Sequence, residues 1–163
     1  MSEGFFDLRR ELPAENASDI LAVVADTFNK AERSRIMAAV RSRGNKATEL
    51  ILMQLFRAAG LKGWRRHAAI LGRPDFVFTK ERVAVFVDGC FWHGCAQHCR
   101  MPASNRKYWV GKIGRNVQRD QATRKTLRVQ GWKVVRVWEH DLKRRPKNIL
   151  QRINNALTSA KSP

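Results

Sequence analysis

Cysteine, proline and acidic residues are scarce in this chain, and long apolar runs are missing. Its 163 residues include three cysteines and five prolines, and only 14 Asp and Glu stand against 32 Lys and Arg. No apolar stretch approaches the roughly 18 residues that a membrane span needs, and the N-terminus lacks the basic-then-apolar pattern of a secretion signal. We therefore expect a cytoplasmic protein with no membrane partner.

The excess of basic residues gives a formal net charge of +18 at pH 7. So much positive charge repels itself in a compact chain unless a polyanion lies nearby, which predicts a nucleic-acid partner and a nucleoid-associated location. Basic charge alone is also typical of ribosomal or merely adhesive proteins. The content of 44% hydrophobic and 28% charged residues is that of a globular protein, and at this length we expect one domain and a monomer.

All three cysteines fall in residues 83–99, which read V-A-V-F-V-D-G-C-F-W-H-G-C-A-Q-H-C. An odd number of thiols at spacings of five and four leaves one unpaired in any disulfide arrangement, whereas Cys and His at short spacings suit tetrahedral zinc. His140, just after the apolar run 134–138, is our candidate for a distant fourth ligand, and His98 is a nearer competitor. The predicted zinc ligands are Cys90, Cys95, Cys99 and His140. The alternative is a set of reduced, buried cysteines with incidental histidines.

The apolar periodicity predicts an α/β domain with a mixed sheet. The predicted elements are a helix over 46–59, strands over 64–67, 75–79 and 82–88, a helical region from 104 or 105 to 130, a strand over 132–138, and a helix that begins at Pro146. A short basic helix over 30–43 is either a solvated face or a phosphate contact. Residues 1–29 form an N-terminal extension to which we assign no role.

Two carboxylates lie at the open end of the hairpin formed by 75–79 and 82–88. Asp75 begins the first strand and Asp88 ends the second, so antiparallel pairing is expected to bring them side by side. Carboxylates at one sheet edge are costly unless a hard divalent cation or a raised pKa compensates, which predicts Mg²⁺ bound by Asp75 and Asp88. The alternative is that each is only a turn residue. Glu49, one turn inside a helix, is most simply a capping residue, and we keep it as a candidate site residue.

Four ordered motifs resemble the very-short-patch-repair (Vsr) DNA mismatch endonucleases. They read G-R-P-D-F-V, V-F-V-D-G-C-F-W-H-G-C, Y-W-V-G-K-I-G-R-N-V-Q-R-D and V-W-E-H, and the similarity covers roughly residues 30–157. The resemblance implies a restriction-endonuclease-like, three-layer α/β domain over 30–163, with a central mixed sheet flanked by helices and a structural zinc site.

The implied activity is Mg²⁺-dependent nicking of one strand of duplex DNA at a T:G mismatch left by deamination of 5-methylcytosine. This reaction initiates very short patch repair, and mismatch-repair proteins are candidate partners. By the same resemblance, Asp75 matches the essential metal-binding aspartate and His93 the histidine near the attacked phosphate. Glu49 and Asp120 match acidic residues that support that histidine and the site around it.

The resemblance also implies DNA contacts and the zinc set. Phe91, Trp92 and Trp109 match aromatic residues that wedge into the duplex beside the mismatch, and Asn116 falls in a matching DNA-binding segment. His140 stands where the family commonly has a zinc-binding cysteine. Asp88 stands where some members carry histidine, and the lysine that usually completes nuclease sites of this fold is absent.

Two other function classes compete with this interpretation. One is a zinc-stabilised DNA-binding protein without catalysis, in which Asp75 and Asp88 are turn residues. The other is a nuclease of the same fold with a different specificity, such as a restriction-type enzyme.

Overall fold

The structure is a computed structural model that describes residues 48–159. Within this range the chain forms α1 (Glu49–Ala58), β1 (Trp64–Arg66), β2 (Phe76–Phe78), β3 (Val83–Asp88), α2 (Arg106–Val129), β4 (Lys133–Trp138), α3 (Glu139–Arg144) and α4 (Pro146–Thr158). The predicted order of helix, three strands, helix, strand and helix is confirmed, and α3 is an addition. The predicted extension at 1–29, the basic helix at 30–43 and the first residues of the predicted helix 46–59 lie outside the described residues.

The four strands form one sheet in the order β1-β2-β3-β4, and the predicted mixed character of the sheet is confirmed. The first two pairings are antiparallel, and β3 pairs with β4 in parallel, with Asp88 opposite Trp138. A parallel neighbour requires a crossover connection, and here the connection consists of the cysteine-rich loop followed by α2. The cysteine-rich segment that the sequence analysis identified therefore lies in this crossover.

One face of the sheet is covered by α1 and α4, which form the main hydrophobic core. Leu52 and Phe56 of α1 pack with Ile149 and Ile153 of α4, and all four are buried. The ring of Phe56 lies 5.1 Å from that of Phe76 in β2. Each such buried side chain stabilises the fold by about 1.5–3 kcal/mol relative to exposure. This core fixes the start of α1, and with it Glu49, against the sheet.

The other face of the sheet lies opposite α2. Phe86 and Arg136 from the strands and Thr123 from α2 line a cavity of about 400 Å³ between the two layers. The loop before β2 reaches α2 directly at Gly72, where an added Cβ would lie 2.3 Å from Thr123 Cγ2 and where φ is +75°. Only glycine fits this approach at that backbone conformation. Helices thus flank the sheet on both faces.

The longest described helix, α2, has 24 residues and carries Lys or Arg along most of its length. The other helices between residues 48 and 159 are shorter. None of the helices in this part of the chain combines the length and the apolar character that a membrane span requires.

Candidate active site and metal centre

Asp75 lies at the start of β2, where its side chain is tied to the neighbouring strand. Its Oδ2 accepts a hydrogen bond from the backbone N–H of Val87 at 2.7 Å. Because Phe76 pairs with Val85, Asp88 lies two positions further along β3 than the residue opposite Asp75. The expectation that Asp75 and Asp88 lie side by side is therefore corrected: they share one end of the hairpin but are offset by two residues.

The carboxyl group of Asp75 lies among other acidic groups. Its pKa is raised to about 7, mainly by burial and also by the nearby charges of Glu49 and Asp88, while the hydrogen bond from Val87 N–H opposes this rise in part. Glu49 is held by Arg66, whose Nη2 donates to Glu49 Oε2 at 2.6 Å. Among the described residues, no Lys, Arg or His forms an ion pair with Asp75. An ionised Asp75 therefore lacks a compensating cation, and a bound metal ion would supply one.

His93 lies between two carboxylates from different elements. Its Nδ1 is 2.5 Å from Asp120 Oδ2, in α2, and 3.4 Å from Asp88 Oδ1, at the end of β3. Burial alone would raise the pKa of Asp120, but the hydrogen bond with His93 and the charges of His93 and Arg136 hold it below its ordinary value. With Nδ1 turned towards carboxylates, Nε2 is the ring nitrogen left for a substrate or water. The predicted contact between His93 and Asp120 is thus present. Glu49, the other carboxylate predicted to support His93, lies near Asp75 instead.

Arg136 completes this group, and the sequence analysis did not single it out. Its guanidinium group forms a very short ion pair with Asp88 Oδ2, and its Nη2 lies 3.4 Å from Asp120 Oδ2. The sequence signal is an arginine inside the apolar strand V-V-R-V-W, on the same face as Val134 and Trp138. That signal becomes informative only once the parallel register with β3 is known, since the register brings Arg136 to Asp88.

The cavity between α2 and the sheet opens onto these side chains. His93, Asp88 and Asp120 all line it. Three further arginines lie along its walls: Arg73, Arg119 and Arg124. A cavity with an imidazole, two carboxylates and several guanidinium groups is suited to an anionic substrate, such as a phosphodiester.

A separate cluster of thiol and imidazole groups lies at the other side of the same loop. The potential ligand atoms of four residues lie within 4.8 Å of one another: Cys90, Cys95, His98 and His140. Cys90 Sγ is 3.1 Å from His140 Nδ1, and Cys95 Sγ is 3.8 Å from both His98 Nδ1 and His140 Nδ1. Three of the four predicted zinc ligands are therefore brought together.

Cys99 is the predicted zinc ligand that the structure does not bring into this cluster, and His98 occupies that place. Residues 95–99 form a single helical turn, in which Cys99 N–H donates to the Cys95 carbonyl at 2.9 Å. In this turn the Cys99 thiol contacts the Phe91 carbonyl, with Sγ 3.6 Å from the oxygen, while the imidazole of His98 reaches Cys95. His98 and Cys99 are adjacent in this turn, so their side chains point in different directions. Only the side chain of His98 faces the other ligands.

The protonation of the cluster follows from its burial. The pKa of Cys90 is raised to about 12, mainly by burial and also by the nearby Cys95. Burial also lowers the pKa of His140, which favours the neutral imidazole that binds metals. Without a metal ion, Cys90 is therefore a neutral thiol, and a soft cation that binds it would displace the proton.

Glu139, immediately before His140, is a second residue that the sequence analysis missed. Its buried carboxylate accepts a hydrogen bond from the backbone N–H of Cys90, with 3.4 Å between Oε2 and N. It thereby ties the start of the cysteine loop to the start of α3. The V-W-E-H motif was its only sequence signal.

The predicted DNA-wedging aromatic residues form a compact cluster. The Phe91 ring lies 5.2 Å from Trp92 and 5.3 Å from Trp109. Phe91 and Trp109 are 1% and 4% exposed, whereas Trp92 is partly exposed. Asn116 donates from Nδ2 to the Trp92 carbonyl at 3.1 Å, so it holds the loop in this conformation. Wedging by Phe91 or Trp109 would therefore require the cluster to open, while Trp92 already presents surface.

The chain is similar in sequence to known DNA endonucleases. The family profile described as DNA mismatch endonuclease Vsr matches residues 25–100. The type II nicking enzyme V.NaeI of Lentzea aerocolonigenes is 44% identical over 119 residues, which cover 68% of this chain and 69% of that protein. V.NmeDIP, a type II nicking enzyme of Neisseria meningitidis serogroup C, is 40% identical over 119 residues, covering 72% and 80%. DNA mismatch endonuclease Vsr of Escherichia coli (strain K12) is 40% identical over 127 residues, covering 76% and 80%.

We predict that Asp75→Asn stabilises the Mg²⁺-free protein at pH 8. The folded-state pKa of Asp75, about 7, lies above the ordinary value of 3.8. The stability that the protonated group contributes is therefore fully present below pH 3.8 and is lost as the pH rises through 7. The neutral variant avoids this loss.

The difference in free energy of unfolding should be on the order of a few kcal/mol at pH 8 and should shrink as the pH falls towards 4. Urea unfolding of both proteins at pH 5 and pH 8, in Mg²⁺-free buffer, measures it. Equal stabilities at pH 8 would contradict the account of Asp75 as an uncompensated buried carboxylate.

Proposed function

The chain belongs to the Vsr family of DNA mismatch endonucleases, and on that premise we propose that it nicks one strand of duplex DNA at a T:G mismatch by Mg²⁺-dependent hydrolysis. The observation that carries this proposal is the convergence of Asp75, Asp88, His93 and Asp120 at one end of the sheet. A buried carboxylate at the same end of the sheet as an imidazole that is held by a second carboxylate provides the groups that metal-assisted phosphodiester hydrolysis requires. We further propose that the domain has the restriction-endonuclease-like fold.

We assign the catalytic Mg²⁺ to Asp75. Its carboxylate is a hard oxygen donor, it is buried beside Glu49 and Asp88, and it has no cationic partner within residues 48–159. These properties fit a divalent ion. Asp88, the other predicted Mg²⁺ ligand, already pairs with Arg136, so we propose that a main-chain carbonyl beside Asp75 supplies the further oxygen. When bound, Mg²⁺ polarises the scissile phosphate.

His93 is the proposed general base. Nδ1–H of His93 donates a hydrogen bond to Asp120, so that Nε2 carries the lone pair that takes a proton from the attacking water. The water oxygen forms a bond to phosphorus as the bond from phosphorus to one sugar oxygen breaks. That oxygen leaves as a hydroxyl by taking a proton from a solvent water, and the imidazolium of His93 returns its proton to the solvent. Arg119 and Arg124 at the cavity wall are placed to bind the phosphate backbone.

We assign zinc to Cys90, Cys95, His98 and His140. Two thiolates and two imidazoles match the donor preference and the four-coordinate geometry of structural zinc sites. A site with four protein ligands leaves no open position for water, so zinc acts structurally. It would hold the segment Phe91-Trp92-His93, which lies between the first two ligands.

Mismatch selectivity is assigned to the aromatic cluster of Phe91, Trp92 and Trp109. An aromatic wedge must unstack a base step at a cost of a few kcal/mol, and that cost is lower at a mispaired step. Trp92 presents surface in the free protein and would enter first, and insertion of Phe91 and Trp109 would follow opening of the cluster.

We predict that Asp75→Asn abolishes nicking and retains DNA binding. Loss of the metal ligand should lower the rate about 1,000-fold or more, because a bound metal ion contributes several kcal/mol to the transition state. Glu81→Gln is the matched control, since it neutralises a carboxylate at the opposite end of the same hairpin. Nicking by Asp75→Asn at the control rate would refute the active-site assignment.

We predict that His98→Ala lowers the bound zinc below one equivalent per chain and that Cys99→Ala does not. The two residues are adjacent, but only His98 faces the other ligands. Metal analysis of the purified variants, together with their thermal unfolding, measures both effects. If Cys99→Ala loses zinc and His98→Ala retains it, the ligand set is wrong and the set first predicted from the sequence is right.

A further inference from the structure

Arg136 lies where four elements of the active site meet. It stands on β4, its guanidinium group pairs with Asp88 at the end of β3, and its Nη2 lies 3.4 Å from Asp120 on α2. Both carboxylates face Nδ1 of His93, on the loop between β3 and α2. Arg136 thus forms ion pairs with both carboxylates that surround the imidazole.

The side chain of Arg136 is itself held in place. Its guanidinium carbon lies 5.3 Å from the centre of the Trp138 ring, and 17% of its side chain is exposed. Arg152 from α4 donates to the Arg136 carbonyl at 2.9 Å, which fixes the backbone. By contrast, Arg119, the other arginine that contacts Asp120, is 65% exposed. The guanidinium group of Arg136 is therefore held in a fixed position beside Asp88 and Asp120, whereas the exposed side chain of Arg119 can change conformation when a substrate binds.

The charges explain why such a cation is needed. Asp88 and Asp120 both approach one nitrogen of His93, and Asp88 is almost fully buried. Because both carboxylates lie close to the same nitrogen, their negative charges repel each other. A buried carboxylate without a partner is also strongly unfavourable. A guanidinium group has a planar fork of N–H donors and can bind both carboxylates at once, which an ammonium group cannot do in the same geometry.

We propose that Arg136 is a positioning residue of the nuclease site, which binds Asp88 and Asp120 together and thereby fixes the imidazole of His93. Asp88 then acts through this pair and is not a ligand of the catalytic Mg²⁺. This inference rests on the proposed endonuclease function.

The test compares four variants on a T:G duplex: Arg136→Met, Arg136→Lys, Asp88→Asn and the Asp88→Asn/Arg136→Met double variant. For each we would measure kcat, the Kd for DNA and the Mg²⁺ concentration for half-maximal nicking. Lys80→Met is the matched control, because it removes one positive charge from the turn at the far end of β3.

Arg136→Met should lower kcat about 100-fold, the effect of a displacement of about 1 Å in a catalytic group, with Kd changed less than about twofold. Arg136→Lys should recover part of the lost kcat, because lysine restores the positive charge but not the planar set of N–H donors that binds two carboxylates. The double variant should be no slower than Arg136→Met, because the two residues act as one unit. Asp88→Asn should leave the Mg²⁺ requirement unchanged.

Three results would overturn the inference. An unchanged kcat in Arg136→Met shows that the residue is dispensable. A weaker Kd with unchanged kcat shows that Arg136 binds a DNA phosphate. A tenfold higher Mg²⁺ requirement in Asp88→Asn shows that Asp88 is a metal ligand.

Arg136→Met leaves Asp88 buried without its partner, so thermal unfolding is measured in parallel. If this variant does not fold, the double variant decides: kcat reduced about 100-fold with unchanged Kd supports the inference, and wild-type kcat overturns it.

A wild-type protein that nicks no duplex contradicts the proposed function instead. The NMR signal of the His93 Nδ1 proton then tests the positioning alone: it should be protected from exchange in the wild type and lost in Arg136→Met, and its persistence in the variant overturns the inference.

Discussion

Buried negative charge at one end of the sheet is the constraint on which the site depends. Glu49, Asp75 and Asp88 come from three different elements and lie close enough that the charges of the other two raise the pKa of Asp75. Glu49 is balanced by Arg66, and Asp88 is balanced by Arg136. Within residues 48–159, the partner of the Asp75 carboxylate is the backbone N–H of Val87. This part of the chain thus provides cations for two carboxylates, and in the proposed function a metal ion balances the third; such an arrangement lowers stability and would provide a binding site.

The connection between β3 and α2 carries most of the remaining chemistry. It begins at Asp88, passes through Cys90 and the aromatic cluster to His93, and then makes the single turn from Cys95 to Cys99. A loop of this kind has little regular backbone bonding, so its shape depends on side chains. Glu139 ties its start to α3, Asn116 ties Trp92 to α2, and the thiol and imidazole cluster closes it. The thiol and imidazole cluster and His93 are therefore parts of one structural unit, and if the cluster binds the proposed zinc ion, loss of that ion would displace His93.

The sequence predicted the order of elements and the mixed sheet, because apolar periodicity and turn residues are local signals that survive folding. It also identified the loop, from the three cysteines. It did not predict α3, since the six residues Glu139–Arg144 are too few to show a helical repeat. It took Cys99 as a zinc ligand and weighed His98 only against His140, whereas the structure groups both histidines with Cys90 and Cys95. That outcome depended on the geometry of a single turn, which residue spacing does not reveal.

The role of Arg136 could not be predicted from its own segment, where it is one basic residue among many. It depends on the parallel register of β3 and β4, a contact between positions separated by 48 residues. The offset between Asp75 and Asp88 is likewise a matter of register. Non-local pairing of this kind decides which side chains meet, and a single sequence specifies it only weakly.

The central claim is that the chain nicks mismatched DNA. The most direct measurement is a nicking assay on a labelled duplex that contains one T:G mismatch, beside the same duplex with T:A or C:G in its place, in several flanking sequences. The account predicts a single nick in the thymine strand of the mismatched duplex that requires Mg²⁺, with the paired duplexes left intact. Equal cutting of paired and mismatched duplexes, or binding without cutting in every flanking sequence, would contradict it.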